Sequence, residues 1–204
     1  MGGTLEKATC DPRLGIDPVD HVARVTSSSP HAVAIACRFA AMHVRAALRE
    51  DLDGITGLLY GDYFRDMAEL LEPEAITAFV ETEFAPARLK RSVLLGGLFV
   101  AEDGQDLLGF AIADHESDHL ELRSICTRSM YIQQGVAKRL LDEVQHIAPD
   151  LPVSATVILG NIPAETFHES QGFVPGEVDD REVGGQHIVE RRWWRNPGPD
   201  LGSD

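Results

Sequence analysis

Positive charge is what this chain has least of. Its 204 residues carry 18 Lys and Arg against 33 Asp and Glu, a formal charge of −15 with neutral histidines. Phosphate backbones are bound by clustered cations, so a field of this sign argues against DNA or RNA as the main partner and leaves room for cationic small molecules or basic protein segments. Cysteine is scarce as well. Cys10, Cys37 and Cys126 are far apart, odd in number and form no Cys-x-x-Cys pair, which argues against a disulfide framework and a cysteine zinc site and suits a reducing compartment. Long apolar runs are missing too: no stretch reaches the roughly 18 residues of a membrane helix. Glu6 and Asp11 precede any apolar stretch, unlike a signal peptide. The expectation is a cytoplasmic protein with no membrane partner.

What is present is an average globular composition, 44% hydrophobic and 25% charged, so neither a fibrous nor a wholly disordered chain is indicated. A single domain of this length buries roughly 70% of its unfolded surface and needs no disulfide or structural metal. Residues 1–41 hold four basic and four acidic residues, so the whole of the −15 lies beyond them. Pro12, Pro18, Pro30 and Ser27-Ser28-Ser29-Pro30 mark 1–41 as a poorly ordered extension. Residues 42–195 form the expected domain and 196–204 a tail. Met42, where regular patterning begins, is a candidate natural start.

Periodicity then sets the elements. His43 to Ala47 is a first strand, and Asp51 to Tyr60 a helix with Ile55, Leu58 and Leu59 at helical spacing. A second helix is expected over Pro73 to Ala87, with Ile76, Phe79, Val80 and Phe84 in one stripe. Ser92 to Glu102 and Leu107 to Asp114 flank the turn Asp103-Gly104-Gln105-Asp106 as a hairpin. His119 to Cys126 alternates as a third strand, putting Glu121, Arg123 and Ile125 on one face. A helix from Gln134 to Ile147 follows, with Val136, Leu140, Val144 and Ile147 on one face. After it come a strand at Val153 to Leu159, a short helix at Pro163 to Ser170, and strands at Phe173 to Val178 and His187 to Trp194.

Tyr131-Ile132-Gln133-Gln134-Gly135-Val136-Ala137 joins a strand to a helix. Small residues at Gly135 and Ala137 let the backbone approach a ligand, and the unpaired N–H groups of the helix start make an anion cradle suited to a pyrophosphate. One strand later comes Asn161-Ile162-Pro163-Ala164-Glu165-Thr166-Phe167-His168-Glu169-Ser170-Gln171-Gly172-Phe173. Here the sequence resembles the GCN5-related N-acetyltransferase (GNAT) family, whose members carry Gln/Arg-x-x-Gly-x-Gly/Ala before the third helix and Asn-x-x-Ala-x-x-Phe-Tyr-x-x-x-Gly-Phe over the fourth. Asn161, Ala164, Phe167, Gly172 and Phe173 fall in register, and the element order matches from Met42 to about Arg195. Ile132 departs from the family Gln or Arg, and His168 from its Tyr.

The resemblance implies an α/β fold with a mixed, mostly antiparallel twisted sheet flanked by helices, splayed between the fourth and fifth strands. It implies acetyl-CoA as donor, with the main chain of Gln133 to Lys138 on the pyrophosphate and that of Ile125, Cys126 and Thr127 along the pantetheine arm. Ile132, Asn161, Ala164 and Phe167 complete the implied cofactor-binding positions. His168, in place of the family tyrosine, either protonates the leaving thiolate or packs beside the cofactor. Glu121 lies eleven residues before Ile132, where histone-type members carry a glutamate base; it is either that base or a strand carboxylate, solvated or partnering Arg123. Transfer in the family is direct, with a main-chain N–H for the oxyanion, so Cys126 is expected to be a buried, inert thiol.

The expected function is acetyl transfer from acetyl-CoA to a primary amine, on a small molecule or a protein; the alternative is a non-catalytic CoA-binding regulatory protein. The region Leu58 to Lys90 is expected to cover the acceptor side. His115, Glu116, Asp118 and His119 crowd one connection without a metal-ligand spacing, so no metal is expected. Of Trp193 and Trp194, on opposite faces, one belongs to the core, and the other is open to a substrate pocket or the contact of a homodimer. Since the acidity lies in the catalytic part, local N–H donors with Arg128, Lys138 and Arg139 must overcome it to hold CoA, while the field draws in a cationic amine.

Overall fold

In a computed structural model of the chain, residues 42–104 and 106–196 are described; the extension 1–41 and nearly all of the tail lie outside them. The chain enters at β1 (His43–Ala46) and turns into α1 (Leu52–Leu58). A π-helical turn (Leu59–Tyr63) leads directly into α2 (Phe64–Met67). Then come α3 (Pro73–Glu83), α4 (Pro86–Leu94), β2 (Leu98–Glu102), β3 (Leu107–His115) and β4 (Leu120–Thr127). The remainder is α5 (Val136–Ile147), β5 (Val153–Ile158), α6 (Ile162–Ser170), β6 (Val174–Val183) and β7 (Gln186–Arg195).

The strands form one sheet in the order β1-β2-β3-β4-β5-β7-β6. Only β4 and β5 are parallel; the other neighbours are antiparallel, giving the mixed, mostly antiparallel sheet expected. Period-2 alternation sends Leu98 and Val100 of β2 to one face and Phe99 and Ala101 to the other. The first face packs on Ile55, Leu58, Phe79 and Leu89 of α1, α3 and α4. The second packs on Val136, Leu140, Leu141 and Val144 of α5, with Phe167 of α6 beside them.

Several boundaries differ from expectation. The helix read over Pro73 to Ala87 is two helices: Pro86 has no N–H to continue the α3 ladder, but its fixed φ suits the first position of α4. The strand read from Ser92 begins at Leu98, because Ser92–Leu94 finishes α4 and Gly96 (φ +73°) turns the chain. A short apolar run fits either element, and here the helix takes its first part. The helical path after Asp51 runs past Tyr60, through the π-turn, to Met67. β6 extends to Val183 as one arm of a hairpin with β7, where Arg181–Glu190 and Asp180–His187 pairs replace apolar alternation.

A further difference falls in β4. Ala113 pairs with Leu122 and Ile112 with Ser124, so Arg123 is an extra residue, a β-bulge. The bulge inverts the alternation. Leu120 and Leu122 sit in the α5 layer, Cys126 in the α1–α4 layer, and Ile125 against the α5 layer. Ile125 therefore does not share a face with Arg123, which reaches α3 on the opposite side.

Candidate functional site

β4 and β5 pair only at Leu120–Val153, Glu121–Ser154 and Leu122–Ala155. Beyond those rungs β4 stays with β3 as far as Thr127–Gly109, and β5 stays with β7 as far as Ile158–Glu190. The sheet is thus open as a V between 123–127 and 156–158. Strand edges that face one another without pairing leave main-chain N–H and C=O groups to be satisfied by something else.

The loop leaving β4 closes the mouth of this V. After a 3₁₀ turn at Ser129–Tyr131 the chain enters α5 through two left-handed residues, Gln133 (φ +61°) and Gly135 (φ +78°). A left-handed non-glycine residue marks backbone held by its surroundings. Gly135 is the N-cap of α5, no side chain caps the helix, and the ladder begins with Arg139 N on Gly135 O at 3.1 Å. The N–H groups of Val136, Ala137 and Lys138 consequently have no acceptor within the helix, with the positive end of its dipole behind them. Gly109 lets α5 lie close on the sheet here: a Cβ at Gly109 would meet Cys126 O at 2.4 Å and Val136 Cγ1 at 3.1 Å.

The side chains around the cradle are mostly engaged elsewhere. Lys138 pairs with Asp142 at 2.6 Å, and Arg128 lies 4.0 Å from Asp106. Arg139 donates to Met42 O at 2.8 Å, towards the entry of β1, and not to the mouth as expected. Gln134 Nε2 donates to Met130 O, while Ile132 is half exposed. The donors at this mouth are therefore those of the main chain. Two left-handed residues, three open N–H groups and an unpaired strand edge running inward fit a phosphate-bearing ligand with an extended arm.

Asn161 caps α6: its Oδ1 accepts from Ala164 N at 3.2 Å, and its Nδ2 lies 3.9 Å from Met67 Sδ of α2. Ala164 and Phe167 pack against the α5 layer. Cys126 is buried, and burial pushes its thiol up to about 12, as suits an inert thiol.

Glu121 sits on the middle rung of the three that join β4 to β5, at the point of the V, with its side chain about one third exposed. Its nearest cation is Arg192, at 4.0 Å, and not Arg123. The Arg123 side chain, only 8% exposed, is held by Glu83 of α3 at 3.0 Å and Asp114 of β3 at 3.2 Å.

His168 is 4% exposed, set edge-on against Phe167 and Phe173 and tilted over Trp193 in the α5 layer. Its Nδ1 faces Ala164 O at 2.7 Å, so the ring proton is on Nδ1, and the buried Nε2 has no hydrogen-bond partner. Burial lowers its pKa below the ordinary 6.5, outweighing the bond to Ala164. Trp193 is the core member of the tryptophan pair, while Trp194 meets His119 edge-on and lies under Arg192. Among the described residues no group of three or more His, Cys, Asp or Glu is placed to hold a metal ion, and no helix is long and apolar enough to cross a membrane.

Two residues escaped the sequence reading. Asp62 of the π-turn accepts hydrogen bonds from the N–H (3.1 Å) and Oγ of Ser129, and Arg65 donates to the same Oγ, tying the helical layer to the mouth loop. Burial works to raise the Asp62 pKa, but these bonds and the fields of Arg65 and Arg128 hold it below the carboxylate range. The neighbouring Tyr63 packs edge-on against Phe64 and Phe84, with its phenol beside Ser124 of β4. Both residues lie in the π-turn, and such turns leave little trace in periodicity.

The family model described as "Acetyltransferase (GNAT) family" matches residues 63–173, from Tyr63 through the V, the mouth loop and α6. The fold is similar to the PaiA N-acetyltransferase of Thermoplasma acidophilum, solved in complex with coenzyme A: 18% identity, TM-score 0.62, 74% of this chain and 97% of that one. A GCN5-related N-acetyltransferase structure from Rhodopseudomonas palustris gives 17%, 0.61, 76% and 94%, and Ard1 from Thermoplasma volcanium 17%, 0.60, 76% and 97%. No curated protein matches the chain.

Proposed function

The chain belongs to the acetyltransferase (GNAT) family, and from that membership we propose that it moves an acetyl group from acetyl-CoA to a primary amine by direct attack in a ternary complex. The observation that carries the reading is the V: pairing of β4 and β5 stops at Leu122–Ala155, and the three open N–H groups of α5 stand at its mouth. Acetyl-CoA, when bound, supplies an acyl group activated as a thioester. The main chain of Gln133 to Lys138 holds its pyrophosphate, and the free edge of Ile125, Cys126 and Thr127 pairs with its arm.

Residues of this chain do the rest. Glu121, at the point of the V, takes the proton of the attacking amine, with Arg192 beside it at 4.0 Å. His168 packs and does not donate: its one N–H is spent on Ala164, and burial keeps the ring neutral. The acceptor enters from the α1–α4 side, where Leu58 to Lys90 covers the sheet, drawn by the acidic field if it is a cation.

Thiol release from acetyl-CoA across a panel of small-molecule and peptide amines tests the proposal. Turnover with at least one primary amine, lowered about 100-fold or more by Glu121→Gln, is expected. Tight CoA binding with no acceptor above background would instead mark a non-catalytic CoA-binding protein.

A further inference from the structure

We propose that Tyr63 is a catalytic residue, its phenolic O–H donating a hydrogen bond to the sulfur that leaves the acyl group. The proposal rests on the reading of the V given above. Negative charge develops on that sulfur as its bond to carbon breaks, and a fixed donor aimed at it lowers the barrier. His168 has no donor to offer there. Its Nδ1–H is committed to Ala164 O, its Nε2 is an acceptor, and the ring lies in the α5 layer.

Tyr63 comes from the opposite side. The π-turn Leu59–Tyr63 brings its phenol beside Ser124, on the stretch of β4 that has already parted from β5. Its neighbours Phe64 and Phe84 are buried, and fix its ring by edge contacts at 5.4 Å and 5.3 Å, while Tyr63 keeps partial exposure. A donor held by its phosphates at the start of α5, with its arm along Ile125 to Thr127, would bring its acyl end upstream of Cys126, towards Ser124. The turn itself is secured to the mouth loop by Asp62 and Ser129, so the phenol and the phosphate cradle hold a fixed spacing.

Burial, offset in part by the Ser124 hydroxyl, pushes the phenol up to about 12, so the O–H is present throughout the neutral range and is not itself surrendered. In the transfer the amine nitrogen bonds to the carbonyl carbon and its proton goes to Glu121. The carbon–sulfur bond breaks with its electron pair passing to sulfur. Tyr63 holds the resulting thiolate without giving up its proton, and the thiolate is protonated by water as it departs.

The test reads the thiol of bound CoA directly, by its thiolate absorbance during a pH titration. Protein saturated with desulfo-CoA is subtracted to remove the protein's own cysteines and tyrosines. Tyr63→Phe is expected to raise the pKa of the bound thiol by about one unit or more, since a hydrogen bond to a charged acceptor is worth that much. An identical thiol pKa in wild type and variant overturns the assignment. Wild-type protein labelled at tyrosine Cζ is a second measurement, independent of any substitution. It has three tyrosines, Tyr60, Tyr63 and Tyr131. One resonance is expected to move as the thiol of bound CoA ionises and to stay still with desulfo-CoA; three unmoved resonances overturn the proposal. Absence of CoA binding by the wild type would overturn the cofactor reading itself, a result distinct from either of these.

Discussion

Replacing His168 by Phe separates the two roles that its position in the sequence allows. The ring is 4% exposed, with one nitrogen bonded to Ala164 O at 2.7 Å and the other buried without a partner. At pH 7.5 the variant loses a hydrogen bond worth about 1 kcal/mol and also loses an unsatisfied buried acceptor that costs about 1–3 kcal/mol. The Ala164 carbonyl keeps the main-chain N–H of residue 168 in the helix ladder. Stability at this pH is therefore expected to be unchanged or slightly raised.

The larger effect is its pH dependence. The fold lowers the His168 pKa, so the unfolded chain takes up a proton from about pH 6.5 downward before the folded one does. Stability is complete above the unfolded value and is lost as pH falls from there towards the folded value. Between pH 7.5 and 5.5 a ring that stays neutral costs up to about 1.4 kcal/mol, one pKa unit. At about 2–4 °C per kcal/mol for a domain of this size, wild-type Tm should fall further than that of His168→Phe over this interval, by no more than about 5 °C. Differential scanning fluorimetry at the two pH values measures it, since other titrating groups affect both proteins alike. Equal falls would mean that His168 is accessible to protons, and the case against it as a donor to the thiolate would fail.

Other substitutions probe the scaffold of the V. Gly109→Ala puts a Cβ 2.4 Å from Cys126 O and against Val136 and Leu140 of α5. It should cost about 2–3 kcal/mol by overpacking and weaken CoA binding measured by calorimetry; a Tm within 1 °C or so of wild type, against the roughly 5–10 °C fall expected, would contradict that. Arg123→Ala leaves Glu83 and Asp114 without their shared cation. Breaking a buried pair costs about 3–5 kcal/mol, and because these carboxylates keep about a third of their exposure a loss near 2 kcal/mol in denaturant unfolding is expected.

The family and the local turns were legible because their signals are local: Gly135 at the start of α5, and the register of Asn161, Ala164, Phe167, Gly172 and Phe173 over α6, need no tertiary information. The long helix α5 was equally plain, its apolar stripe filling the period without interruption. What escaped depends on pairing or on a local break in period. The bulge at Arg123 cannot be read from β4 alone, since only the register against β3 shows that two residues of one strand oppose fewer on the other; hence Ile125 was assigned the face of Arg123. Pro86 divided a stripe that looked continuous because Phe84 and Leu89 both reach the same core. β6, almost wholly exposed, has no apolar alternation to announce it. The π-turn shifts Asp62 and Tyr63 by one residue against the helical period, removing both from any stripe that would have singled them out.

The central claim is that the V between β4 and β5 is an acyl-CoA site served by main-chain donors. A crystal structure with CoA bound tests it most directly. The account predicts the pyrophosphate on the N–H groups of Val136, Ala137 and Lys138, the pantetheine arm along Ile125 to Thr127, and the sulfur within hydrogen-bond reach of the Tyr63 hydroxyl. CoA lying outside the V, or an arm that leaves the edge of β4 unpaired, would contradict it.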